Sequence, residues 1–217
     1  MNRSFLKRNG LSIAVLLMML AAWSGQALTG RAAHNQQLAE HGQPAISFLA
    51  YITGTDFWSA TFENWESEFL QMGVYVLLTV WLRQKGSAES RPMDESEEHN
   101  NPTPLHLQPA AWRRGGAVRW LYANSLSIAF LLLFAASFVG HLIGSWRKSI
   151  SEAALHQQPP ESLGQYMVDP TFWFESFQNW QSEFLAVLSL VVLSIFLRQK
   201  DSPQSKKVDE PHDKTGT

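Results

Sequence analysis

Apolar residues along this chain gather into four long runs separated by polar segments. Asn9–Gly30 holds no Asp, Glu, Lys or Arg and has a dense core at Leu11–Leu28. Trp120–Trp146 is a second uncharged run if His141 is neutral. Both exceed the length, about 18 residues, at which an apolar run reads as a membrane-crossing helix. Phe69–Leu82 and Phe184–Leu197 span only 14 residues each, a length that by itself favours a buried or re-entrant helix. Extended back to Phe62 and Phe177 they reach 21 residues. At about 1.5 Å per residue that is about 31 Å, enough to cross a bilayer. The extension puts Glu63, Glu66 and Glu68 in the first two turns, at headgroup level.

The runs repeat. Residues 6–87 align with 121–202 at a constant offset of 115 without a gap, and 32 of the 82 positions are identical. Phe62-x-Asn64-Trp65-x-Ser67-Glu68-Phe69-Leu70 matches Phe177-x-Asn179-Trp180-x-Ser182-Glu183-Phe184-Leu185, and Arg83-Gln84-Lys85 matches Arg198-Gln199-Lys200. Two copies of one unit are implied. The first run also resembles a signal peptide, with Lys7 and Arg8 before it and Gly25-Gln26-Ala27 as a cleavage site. Its repetition at Leu126–Ile143, mid-chain, argues against that reading. The expected fold is all-α: four transmembrane helices as two tandem, parallel-repeat hairpins. Repeat 1 covers 1–87, with helices near 10–30 and 62–82. Repeat 2 covers 116–202, with helices near 120–145 and 177–197. Residues 88–115 and 203–217 have few apolar groups to bury and read as a disordered cytoplasmic linker and tail.

Charge gives the orientation. The net charge of −2 looks uninformative. Residues 31–68 and 146–183, however, hold three of the 17 basic residues (Arg31, Arg147 and Lys148) and 10 of the 19 acidic ones. By the positive-inside rule these loops face outward, and both termini and the linker are cytoplasmic. Trp58, Trp65, Trp146, Trp173 and Trp180 fall near the outer boundary and Trp81 and Trp120 near the inner one, as aromatic belts do. The expected location is therefore a membrane, crossed several times with both termini cytoplasmic. The chain has no cysteine, which excludes a disulfide framework, a thiolate metal site and a cysteine nucleophile. No global basic excess points to nucleic acid.

Among candidate sites the aromatic motif is the most specific. Trp58, Phe62, Trp65 and Phe69 share one helix face, as do Trp173, Phe177, Trp180 and Phe184. An amphipathic, aromatic-anchored approach to a span explains them; the sharper reading is a binding surface. Asp169-Pro170 reads as an N-cap and first helical residue. Glu68 and Glu183, at the edge of the apolar runs, are the candidate functional carboxylates, because an ionisable group at membrane depth is costly. Asn64 and Asn179, one turn earlier, are their candidate polar partners. Carboxylates in a first turn are also favoured by the helix dipole, which is the plainer explanation. Ala21 and Gly25, matched by Ala136 and Gly140, and Gly144 beyond them, form small-residue stripes suited to close packing of the first helix on the third. His41 and His156 sit at equivalent loop positions before Gln43-Pro44 and Gln158-Pro159. One histidine per loop is no metal site, and loop structure is the simpler cause; a site shared between copies is the alternative. No metal and no cofactor is expected, and no catalytic motif is present.

Phe62–Gln71, with His41-Gly42-Gln43-Pro44 upstream and Arg83–Ser90 after the second span, resembles a family of small bacterial integral membrane proteins classed as a domain of unknown function. The resemblance implies about four helices in an inner membrane and supplies no activity. Copy 2 has Gln178 and Gln181 where copy 1 has Glu63 and Glu66, which leaves Glu68 and Glu183 as the shared acids. The expected role is non-enzymatic, an interaction or envelope-supporting function. The expected partners are the lipid bilayer and either a second copy or another envelope protein. The alternative is a small oligomeric proton or cation carrier using Glu68 and Glu183.

Overall fold

The structure is a computed structural model describing residues 3–93 and 103–216. Among these the regular elements are all helical: α1 (Arg3–Glu40), α2 (Phe48–Ile52), α3 (Thr55–Trp81), α4 (Ala110–Arg113), α5 (Gly116–Ala123), α6 (Ser125–Leu155), α7 (Leu163–Tyr166) and α8 (Pro170–Phe196), with a 3-10 turn at Leu105–Leu107. Three of them, α1, α6 and α8, are long and apolar enough to cross a membrane. The expectation of four is reduced by α3. This helix is also 27 residues long, but Asp56, Glu63, Glu66 and Glu68 occupy its first half and leave too short an uninterrupted apolar stretch. In α1 and α8 only 6 % of the most apolar stretch is buried within the protein, and in α6 17 %. Their side chains therefore face outward, as lipid-facing helices do.

The helix ends follow local chemistry. Asp169 caps α8, its carboxylate accepting the Thr171 N–H at 2.7 Å, and Pro170 begins the helix. α3 and α8 each run uninterrupted from the aromatic approach into the apolar segment. α1 extends well past its apolar run, to Glu40. The expected third helix from 120 is instead broken at Asn124, between α5 and α6. Of the expected disordered linker, residues 94–102 lie outside the described residues.

The chain forms two compact units: Met1–Thr61 with Gly140–Met167, and Phe62–Val139 with Val168–Thr217. In the first, Ala27, Tyr51 and Phe57 form the core, with Trp23, Ile46, Ile52 and Trp58 packed on it. Trp23 stacks on Phe57 at 5.8 Å, and its indole N–H donates to Thr61 Oγ1 at 3.2 Å. This gives the one polar side-chain atom of Trp23 a partner. A Cβ on Gly30 would overlap the Tyr51 hydroxyl, so any larger residue there must displace that side chain. Asn35 exchanges two side-chain hydrogen bonds with the Ile46 backbone, folding the 41–47 loop back onto α1. Burial and the nearby Asp56 carboxylate push the Tyr51 phenol above its usual pKa.

In the second unit, Phe134 and Phe138 of α6 pack against Phe172, Trp173 and Trp180 of α8, with ring centroids 5.6–6.4 Å apart. Residues 203–216, read from composition as a solvated tail, form turns. Lys206, 1 % exposed, donates to the carbonyls of Gly86, His212 and Lys214. Gly216 N–H donates to Ser87 O, and Gly86 N–H to Thr215 Oγ1. One buried ammonium thus supplies hydrogen-bond donors to three backbone carbonyls.

Candidate functional site

The carboxylates on the first half of α3 face unequal surroundings. Glu66 is fully buried, whereas Glu68 is exposed. Helical spacing separates them, since residues two apart point to different sides of a helix. The Glu66 carboxylate accepts the Trp180 indole N–H at 3.0 Å, and Glu63 accepts the Asn179 amide N–H at 2.6 Å. Further along α3, the Gln71 amide donates to the Glu183 carbonyl at 2.8 Å. Three hydrogen bonds therefore join α3 to α8 within the second unit. In each, one partner is a residue type that is expensive to leave unsatisfied in an apolar setting.

The residues singled out from sequence take the following places. Glu183 is partly buried and Glu68 exposed. Asn179 reaches Glu63 on α3 instead of Glu183 on its own helix, while the Asn64 carbonyl accepts the Ser67 hydroxyl. Trp173, Phe177 and Trp180 form a continuous ring cluster, with centroids 5.3–6.5 Å apart. Phe62 meets Trp65 edge-to-face at 5.9 Å, and Trp58 belongs to the core of the first unit. Phe69 is half-buried, while Phe177 and Phe184 are exposed. Of the small residues, Gly144 makes a close approach to Ser59 of α3, where a Cβ would lie 2.9 Å from the Ser59 Cα. Gly25 has open space around it, Gly140 is half-buried, and Ala21 and Ala136 are exposed.

The residues that sequence reasoning passed over are Glu63 and Glu66. Their signal was the difference between the copies: copy 1 carries acids where copy 2 carries Gln178 and Gln181.

The sequence model of a family described as a domain of unknown function, DUF6766, matches residues 2–217. No curated protein and no solved structure matches.

Proposed function

Because this chain belongs to the DUF6766 family, whose description assigns no activity, we propose from its own residues a bacterial inner-membrane protein with a non-enzymatic, interaction or envelope-supporting role. The carrying observation is that the polar side chains of α3 and α8 are engaged with one another. Glu63, Glu66 and Gln71 meet Asn179, Trp180 and the Glu183 backbone. Interhelical polar contacts of this kind hold helices together where lipid offers no hydrophobic driving force. The outer start of α8 meanwhile presents exposed apolar groups, Val168, Phe174 and Phe177.

In this reading α3 completes a four-pass topology with both termini inside. The 115-residue offset supports it. It relates the ends of α1 and α6 (Glu40 and Leu155) and both ends of α3 and α8 (Thr55 and Pro170, Trp81 and Phe196). It also relates the inner turns: Gln84 N–H donates to Ser90 Oγ as Gln199 N–H does to Ser205 Oγ, each at 2.9 Å. A second reading, a proton or cation carrier, is favoured by the full burial of the Glu66 carboxyl. It shifts the carrier carboxylate from Glu68 and Glu183 to Glu66.

Proteoliposome flux separates the two. The interaction role predicts that wild type and Glu66→Gln both leave the proton and potassium permeability of the vesicle unchanged. A leak lost in Glu66→Gln would establish transport. A photo-crosslinker at Phe174 in cells is expected to give a discrete adduct with a second copy or an envelope protein, and an adduct with lipid alone would contradict the interaction role.

A further inference from the structure

The segment that leads into α6 carries exposed apolar and cationic groups side by side. α4 and α5 are in contact and are joined through Gly115 and Gly116, whose φ values of 71° and 53° are left-handed and favour glycine. Arg119 of α5 sets its guanidinium 3.8 Å over the Trp112 ring of α4. This cation–π contact holds the two short helices together. At the other end of α5 the Asn124 amide donates to the Trp120 carbonyl and the Ser125 hydroxyl to the Tyr122 carbonyl, each at 2.8 Å. These bonds close α5 before α6 begins.

α5 has the pattern of a helix at a membrane surface. At about 100° per residue, Val118 and Leu121 centre one face, Trp120 and Tyr122 flank it, and Arg119 stands opposite. The protein leaves that face uncovered: Val118 is 42 %, Leu121 53 % and Trp120 65 % exposed. Arg113, Arg114 and Arg119 are exposed as well. No Asp or Glu occurs between Glu98 and Glu152, so these three charges have no acidic neighbour in the sequence. α6 follows directly and is apolar enough to cross a membrane, so its lipid-facing surface continues into this face. An apolar face flanked by aromatics and backed by arginine suits the headgroup level of an anionic bilayer. Copy 1 lacks the joint, since α1 runs unbroken through Asn9, the residue that matches Asn124.

We propose that α4 and α5 lie on the cytoplasmic surface of the bilayer and bind the phosphates of anionic phospholipids through Arg113, Arg114 and Arg119. Val118, Trp120 and Leu121 then sit among the upper acyl carbons. This rests on the reading of α6 as a span and is independent of whether α3 crosses. Each arginine beside an anionic surface contributes about fivefold to binding.

The test exploits the absence of native cysteine. Full-length Leu121→Cys, carrying an environment-sensitive fluorophore, is placed in phosphatidylcholine nanodiscs with increasing phosphatidylglycerol and a spin-labelled lipid as quencher. Quenching should rise with phosphatidylglycerol and fall back in high salt. With Arg114→Gln added, half-maximal quenching should need about five times more phosphatidylglycerol. Glutamine at all three arginines should remove the dependence, and lysine at all three should keep it. Leu132→Cys, at an exposed position of α6, is the control and should be quenched in every composition. An unquenched probe at 132 would overturn the membrane reading and this proposal with it. With the probe at 132 quenched, three results overturn headgroup binding alone. These are equal quenching at 121 with and without phosphatidylglycerol, an unchanged response in the three-glutamine variant, and no quenching at 121 in any composition, which would place this face against protein.

Discussion

Gly144 offers a stability test that separates a specific helix crossing from a general liking for small residues. A Cβ placed on Gly144 would lie 2.9 Å from both Cα and Cβ of Ser59. Carbon atoms pack best at about 3.5–4.0 Å, so the two segments must part by roughly 0.6 Å or more. Since a backbone atom is involved, no rotamer change relieves the clash, and overpacking of this kind costs about 1–3 kcal/mol. Gly25 is the internal control, because nothing lies within 4 Å of a Cβ added there. Both glycines are inside helices, so alanine at either gains the same helix propensity, up to about 1 kcal/mol. The difference between Gly144→Ala and Gly25→Ala therefore isolates the packing cost. At about 2–4 °C per kcal/mol for a chain of this size, Gly144→Ala should melt roughly 2–12 °C below Gly25→Ala in the same detergent, followed by circular dichroism. Equal melting of the two variants would refute the crossing.

Other outcomes follow from single contacts. Glu66→Ala and Trp180→Phe, tested singly and together by SDS titration, should show a coupling of about 0.5–2 kcal/mol, and strict additivity would deny the contact. Lys206→Met strips the donor from three carbonyls; proteolysis within 203–216 should quicken, and an unchanged cleavage rate would contradict the capping role. Burial raises the Glu89 carboxyl above its ordinary 4.5, only partly opposed by the Tyr75 hydroxyl. The folded protein thus binds this proton more tightly than the unfolded chain does. The resulting stabilisation is full below pH 4.5 and is lost as pH rises through the higher folded value. Glu89→Gln should flatten that loss, and an unaltered pH profile would show that Glu89 is not its source.

How much of this was visible in the chain depends on the kind of interaction. The start of α8 was legible because Asp169 and Pro170 act locally, through a cap and a preset φ. The apolar stretches within α1, α6 and α8 were legible because burial in lipid needs only length and hydropathy. The extension of α1 to Glu40 was not, since the polar turns beyond Gly30 carry no apolar period and stay helical through contacts such as Asn35 to Ile46. Distances along the sequence also hid the carboxylate partners. Trp180 and Glu66 are 114 residues apart, and no local rule selects Glu66 over Glu68. The turns at 203–216 escaped because their cohesion comes from one buried lysine and backbone carbonyls, which leave no hydrophobic pattern. His41 and His156 were found as equivalents, but the edge-to-face contact of their rings depends on how the ends of α1 and α6 converge.

The number of membrane passes is the most direct test of the account, and it turns on α3. The chain has no native cysteine, and Gln43 and Gln158 are exposed, so Gln43→Cys, Gln158→Cys and Ser96→Cys can each be probed in intact cells with an impermeant thiol reagent. If α3 crosses with the other three helices, Gln43→Cys and Gln158→Cys are labelled from outside and Ser96→Cys only after permeabilisation. If α3 stays on one side, Gln43→Cys and Ser96→Cys share a side and Gln158→Cys reports the opposite one, which would contradict the four-pass topology.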